Sequence, residues 1–537
     1  MHDLLIRGAS IVDGTGAPAV GGDVAIQDGV VREVGRLGRP AAWRVIEADG
    51  AVLAPGFIDL HTHSDFTVPR FPRAPSMTRQ GVTTQVIGNC GFSPFPVAPS
   101  TAELVRAACG FLDAGLDWDW ATLDGYAARL AALPLACNLA PLVGHGSVRI
   151  AVMGFDDRAP TDHELAEMRA LVSAAMRHGA FGLSSGLIYA PGSFAATDEL
   201  ADLAGVAAAL GGFYASHIRD EAAGLLGAMG EAIEIGRRAS APVQLSHHKA
   251  MGKANWGGVR ESLALLERAR ADHDVLADQY PYTAGSTTLL ALVPAWAIAG
   301  GAPALRERLG DEGARGRIRA DLERRERGEL REGEREFDPA SVVVADVPAG
   351  PLERYRGRSL AESAAADRTS AAELALRLLD GAPSGVEIVW HGMDEADVRT
   401  VLAHPLVAVA SDGWTLDPAS GGVPHPRSYG TFARVLGHYA VRERVLSVEE
   451  AVRKMTSLPA RRLGMVERGS IAPGMVADLV VFDPDRIIDR ATYQRPHQFC
   501  DGVAHVAVNG VLVIDGGDDT GAPAGKVLRN ARPPLHA

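Results

Sequence analysis

A chain of 537 residues is long enough for more than one core, and 47 % hydrophobic with 22 % charged residues is a globular composition that excludes general disorder. The charge balance, 53 basic against 66 acidic residues for a net −13, comes with no long Lys/Arg block and excludes a nucleic-acid footprint. The four cysteines, Cys90, Cys109, Cys137 and Cys500, form no CxxC pair and no dense cluster, which excludes a disulfide framework.

The opening "MHDLLIRGAS" has no basic segment followed by an apolar one, so no secretory signal and a cytoplasmic location are expected. The first fifty residues read as short strands, "LLIRGASIVDG", "DVAIQDGVVREVG" and "WRVIEADGAVLAPG", broken by Asp-Gly turns. The C-terminal end returns to this style in "GMVADLVVFDP" and "GVAHVAVNGVLVIDG". A small β-sandwich built from both termini, residues 1–54 and 468–537, is the expectation.

Residues 55–467 alternate apolar β-type runs with Ala/Leu-rich helical stretches, the pattern of a parallel α/β unit. "TDHELAEMRALVSAAMRHG" offers Thr161 or Asp162 as N-cap, apolar residues at Leu165, Met168, Leu171, Val172, Ala175 and Met176, and Gly179 as the stop. Eight strands are predicted, within "GFIDLHTHSD", "GVTTQVIGNCG", "LACNLAPLVGHG", "GAFGLSSGLIY", "GFYASHIRDE", "APVQLSHHKA", "DVLADQYPY" and "LVAVASDG". Each ends in a polar residue able to do chemistry. A core strand needs no such ending, whereas a (β/α)8 barrel assembles its active site from the C-terminal ends of its strands. "VEIVWHGM" is a ninth candidate, either a strand of an insertion or one of the last two of the eight. The uncharged run Gln279–Leu305 is interrupted by Pro281, Pro294 and Pro303, so no spanning helix is expected. An insertion is predicted around 305–390. Its charge-laced start, Arg306–Arg335, reads as a solvated helix pair, with a lid at the site mouth as the other reading.

The chemistry concentrates at the strand ends. His61 and His63 in "HTHSD" stand two apart, so both side chains leave the same face of a strand and can aim at one divalent metal. His217 and His247 end two further strands, while His248 points to the opposite face. Asp412 ends the last strand, where a carboxylate can ligate the metal or take a proton from water. Lys249 shares the face of His247, and a lysine at a buried rim needs an anionic partner. Tyr189, Tyr280 and Ser286 sit on neighbouring strand-end loops. Cys90, taken alone, is packing, redox or ligand. No GxGxxG follows a strand, and no GxSxG surrounds Ser184 or Ser185, which argues against dinucleotide binding and a serine hydrolase.

The ordered set HxH, His, His and a last-strand Asp resembles the amidohydrolase superfamily. "PGFIDLHTHSD", "GVTTQVIGNCG", "SSGLIYAPG", "SHIRDE", "SHHKAMGKANW", "YPYTAGST", "HPRSYGTFARVLG" and "KMTSLPARRLG" narrow it to the N-acyl-D-amino-acid deacylase (D-aminoacylase) family, over residues 50 to 510. The resemblance implies a metal-dependent barrel with a terminal β-sandwich. It implies a tight zinc held by Cys90, His217 and His247, and a second, weaker or vacant position at His61, His63 and Asp412. It implies Asp412 as general base and acid for a metal-activated water, and Lys249, Tyr280, Ser286, Tyr189 and Met393 around a small N-acyl-D-amino acid. An acidic substrate side chain would need a further cation, for which Arg427 and the insertion are candidates. A cyclic amidase of the hydantoinase type, or a D-dipeptidase, is the alternative. Such relatives more often carry a bridging lysine on the fourth strand, where this chain reads "FGLSSGLIY". A barrel without activity, serving as a scaffold, would have lost ligands that this chain keeps.

Overall fold

The computed structural model describes all residues except 39, 111–114, 332–333 and 532–537. The eight expected strands are present and parallel, at Phe57–Asp59, Val82–Ile87, Asn138–Pro141 (continued by Val143–Gly144), Gly182–Gly186, Phe213–His217, Val243–Leu245, Val275–Gln279 and Val407–Val409. They form two sheets, one of three strands and one of six, rather than one closed ladder. The third strand reaches both sheets, since only Leu142 separates its two segments. At the other junction, Thr62 and Gly413 form a single parallel bridge. There the amide of Asp412 donates to the carbonyl of His61 (2.8 Å), and that of His63 to the carbonyl of Gly413 (2.9 Å). The first and eighth strands thus end side by side.

Helices alternate with these strands as their sequences require. Asp162–Arg177 starts at a Thr161–Glu164 capping box and is followed by Gly179 at φ 101°. It buries Met168, Val172, Ala175 and Met176, while Leu165 and Leu171 at the edge of the stripe stay half-buried. The strands are buried on both faces, which is why they read as apolar runs rather than alternating ones.

Both termini contribute to one nine-stranded sheet. Its centre is the antiparallel pairing of Val52–Pro55 with Leu479–Phe482. The insertion lies between the seventh and eighth strands and begins earlier than residue 305. The ninth candidate is Glu387–His391, the central strand of a three-stranded antiparallel sheet with Ala284–Thr288 and Val342–Asp346. The charge-laced segment supplies helices Gly301–Gly310 and Glu312–Glu326, which bury Leu305, Leu309, Ile318 and Leu322 against the insertion's own core. No helix among the described residues is long and apolar enough to cross a membrane.

Candidate metal centre and active site

The strand ends converge. Cys90 Sγ lies 3.2 Å from His61 Nε2, 3.5 Å from His217 Nδ1 and 3.6 Å from His247 Nε2, and the last two nitrogens are 2.8 Å apart. His61 Nε2 and His63 Nε2 lie 3.4 and 3.2 Å from Asp412 Oδ1. All six side chains are buried. The six expected ligands therefore make one continuous cluster, with His61 standing between its two halves. Such crowding of lone pairs in a dry site is tolerable only around shared protons or a cation. A thiolate and imidazoles are the donors that zinc favours, so the residues fit that ion.

Local backbone aims these groups. Cys90 sits in a tight turn after the second strand, and Ser184 Oγ clamps that turn by accepting from the amide of Gly91 (3.1 Å) and donating to the carbonyl of Gly88. Gly88 has φ 81°, and a Cβ there would lie 2.1 Å from the carbonyl oxygen of Leu142. Ser184 of the fourth strand thus positions the cysteine, and no lysine occupies that strand. Asp278 Oδ1 accepts from the amide of His247 (2.7 Å), and Asp59 Oδ1 accepts from the amides of His61 (3.2 Å) and Ser411 (2.9 Å).

The electrostatics separate Cys90 from Cys137 and Cys500. Burial alone would raise its thiol, but the charge of His61 and hydrogen bonds from His217, His247 and His61 hold it well below the ordinary value. Burial pushes Cys137 and Cys500 up to about 12, and their thiols face the carbonyls of Val82 and Arg79. Burial would also raise Asp412, yet Arg427, His61 and His247 keep it well below the carboxylate range. Against burial, Asp412 and Cys90 raise His63 to about 9, whereas burial takes His217 down to about 4.

Around the cluster lies a pocket enclosing about 620 Å³, counting its open mouth. Lys249, Tyr280, Ser286, Tyr189 and Arg427 all line it. Arg427 Nη1 donates to Asp412 Oδ2 at 2.7 Å, and its guanidinium lies 4.9 Å from the Tyr280 ring centre. Ser286 reaches the pocket, but its hydroxyl donates to Glu387 (2.8 Å). Met393 does not line this pocket. It borders a smaller neighbouring cavity behind His247, Lys249 and Tyr280. Arg219 binds Glu231 and the carbonyls of Ser193 and Ala195, and Asp220 accepts from the amides of Ala222 and Gly224, so both shape the loop.

Glu221 escaped the sequence reading. It is buried, accepts from Lys249 Nζ at 2.5 Å and lies 3.0 Å from His247 Nδ1. With His217 and His247 it forms a third group of metal-competent donors. Its signal was the carboxylate four residues after His217 in "SHIRDE". Arg335, from the charged segment, also reaches the pocket wall.

This fold and donor set define a metal-dependent hydrolase class. A family model described as "Amidohydrolase family" matches residues 44–514, and the chain belongs to that family, in its D-aminoacylase branch. It is 37 % identical to a D-aminoacylase of Alcaligenes xylosoxydans xylosoxydans over 98 % of this chain and 97 % of that protein. It is 38 % identical to the N-acyl-D-aspartate deacylase of the same organism, over 98 % and 95 %. Among solved structures, an N-acyl-D-glutamate deacylase from Bordetella bronchiseptica, complexed with zinc and a phosphonate mimic of the tetrahedral intermediate, superposes with a TM-score of 0.84. The identity there is 36 %, covering 98 % of this chain and 99 % of that one.

Proposed function

We propose that this protein is a zinc-dependent deacylase that hydrolyses the amide bond of N-acyl-D-amino acids to a D-amino acid and a carboxylate. One observation carries the reading: Cys90, His217 and His247 converge beside an Asp412–Arg427 pair in a pocket that also presents Lys249. The chain's membership beside D-aminoacylase and the D-aspartate and D-glutamate deacylases supports it.

Cys90, His217 and His247 would hold the tight ion and leave one position open, and His61, His63 and Asp412 would form the second position. Zinc, when bound, supplies Lewis acidity at the scissile carbonyl. Asp412 takes a proton from the attacking water and returns it to the leaving amine. Arg427 keeps Asp412 ionised in the dry site, so the base is ready at neutral pH. Lys249 donates to Glu221 and to the His247 carbonyl and also lies 2.8 Å from His247 Nδ1, so a substrate carboxylate would take one of its protons by displacing a contact within the protein. Tyr280 lies between Lys249 and Arg427, giving that carboxylate a cationic wall. Tyr189 and Ser286 border the same space, and Met393 supports it from behind.

The two parallel sheets read as arcs of one (β/α)8 barrel joined through Leu142 and the Thr62–Gly413 bridge, with the terminal β domain at 1–54 and 468–537. A ligating thiolate at Cys90 and three further free cysteines support a reducing, cytoplasmic setting. The test is purified protein offered N-acetyl-D- and N-acetyl-L-amino acids, with zinc content measured. Cleavage of the D form alone, with about one tight zinc per chain, is expected. Equal rates on both enantiomers would overturn the stereochemical claim.

A further inference from the structure

Beside the metal pocket lies a second cavity that the chemistry above does not use. It encloses about 550 Å³, counting its open mouth, which is within the range of small-molecule sites. Phe92, Ile188 and Tyr189 line both spaces, so the two cavities are neighbours across a shared wall. Its far walls carry Leu104, Phe155, Leu290 and Ile298, with small residues at Ala107 and Ala291. No charged side chain lines it among the described residues. Of the three hydroxyl-bearing residues on its walls, Tyr189 bonds Thr287 Oγ1 (2.9 Å) and Thr288 Oγ1 accepts from the amide of Leu290 (3.3 Å), which leaves Ser384 as one polar side chain at the edge of an apolar lining. The cavity therefore suits a hydrocarbon and offers little to a polar ligand.

We propose that this cavity takes the acyl chain, and that the preferred substrates are D-amino acids acylated with medium-chain fatty acids rather than with acetate. The inference rests on the deacylase reading. In such a substrate the α-carboxylate belongs on the cationic wall, where Lys249 and Arg427 flank Tyr280. The carbonyl carbon belongs beside Asp412 and the ligand cluster. A chain leaving that carbon away from the cations meets Phe92 and Tyr189, packed with ring centres 5.2 Å apart in the shared wall, and enters the second cavity as these side chains turn aside. The D side chain is left with Met251, Trp390 and Arg335, a wall that includes a cation and does not border the second cavity. Water adds across the C–N bond as for any acyl group: the hydroxyl goes to the fatty acid and the proton to the amine.

The test compares kcat/KM of the zinc-loaded enzyme on N-acetyl, N-butanoyl and N-octanoyl derivatives of one D-amino acid. Each buried methylene is worth up to about fourfold, so the octanoyl compound should exceed the acetyl one by roughly ten- to hundredfold, mainly through KM. Ala107→Phe and Ala291→Phe fill the cavity from different elements, and each should bring the octanoyl-to-acetyl ratio toward one. A flat or falling series in the unaltered enzyme overturns the proposal. So does a raised ratio that survives both fillings, or a larger gain from lengthening the D side chain on an N-acetyl substrate than from lengthening the acyl chain. Cleavage of the acetyl compound with a flat series refutes this inference alone, whereas no cleavage at any chain length refutes the deacylase reading on which it stands.

Discussion

Cys90, His247 and Asp412 all adopt the left-handed backbone, with φ of 54°, 36° and 51°. A non-glycine residue there costs on the order of 1–3 kcal/mol and persists only where its surroundings over-determine it. Here they do, through the Ser184 clamp on the Cys90 turn, Asp278 on the His247 amide and the His61 carbonyl on the Asp412 amide. The strain marks where each strand stops extending and turns its side chain toward the common point. Replacing Cys90 with Ala should abolish tight zinc binding and cut kcat/KM by on the order of a thousandfold, the scale of losing a principal electrostatic group. Replacing Cys137, a buried thiol facing the Val82 carbonyl, should keep both while lowering stability by about 1–2 kcal/mol. Metal analysis and kinetics on the two variants decide this, and full zinc and rate in Cys90→Ala would sink the mechanism. The four histidines and Asp412 were legible as candidate ligands because strand ends place them on one rim, whereas Cys90 was assigned as a ligand only through the family resemblance. Glu221 was not legible, because its spacing of four residues from His217 falls in a loop rather than a helix and does not by itself say where the side chain points; only the folding back of that loop brings it to Lys249 and His247. Arg427 was legible as a cation, but its pairing with Asp412 depends on a helix that follows the last strand.

Among the elements, the parallel strands were readable from their apolar runs. Glu387–His391 was ambiguous for the same reason: its apolar face matches a barrel strand, and only pairing shows that both its neighbours run antiparallel. The helix Val448–Met455 shows what a local pattern leaves out. Ser447 caps it by accepting from the amide of Glu450 (3.1 Å), as the sequence SVEE would lead one to expect. Lys454 in its last turn is buried, however, and donates to the carbonyl of His404, just before the eighth strand. Burial pulls its ammonium from 10.5 down to about 7. Below pH about 7 the group is charged in both folded and unfolded chains, and the burial penalty is complete. Between about 7 and 10.5 the unfolded chain binds the extra proton, so stability rises with pH. Lys454→Met should therefore melt at a higher temperature than the native chain at pH 6, and the gap should narrow by pH 9. Melting curves at the two pH values test it. A gap that widens with pH would show that the lysine is held as an ion by a partner stronger than the His404 carbonyl.

Across the whole molecule, the ligand cluster joins what backbone pairing leaves thin. The first and eighth strands meet through one bridge, Thr62–Gly413, and the two parallel sheets share a single strand at Leu142. His61, His63, Cys90, His217, His247 and Asp412 follow the first, second, fifth, sixth and eighth strands, so an ion held among them ties together both sheets and the weak junction. An ion that binds the native chain and not the unfolded one stabilises it by RT ln(1 + [L]/Kd), about 4 kcal/mol at a thousandfold excess over Kd. Chelation should accordingly lower the melting temperature by a few degrees, and zinc should restore it. The same treatment should have much less effect on Cys90→Ala, which lacks the tight position. If the native chain lost activity on chelation without any change in melting temperature, the strand ends would be preorganised by protein contacts alone. The clamps at Ser184, Asp59 and Asp278, rather than the ion, would then be what closes the ring.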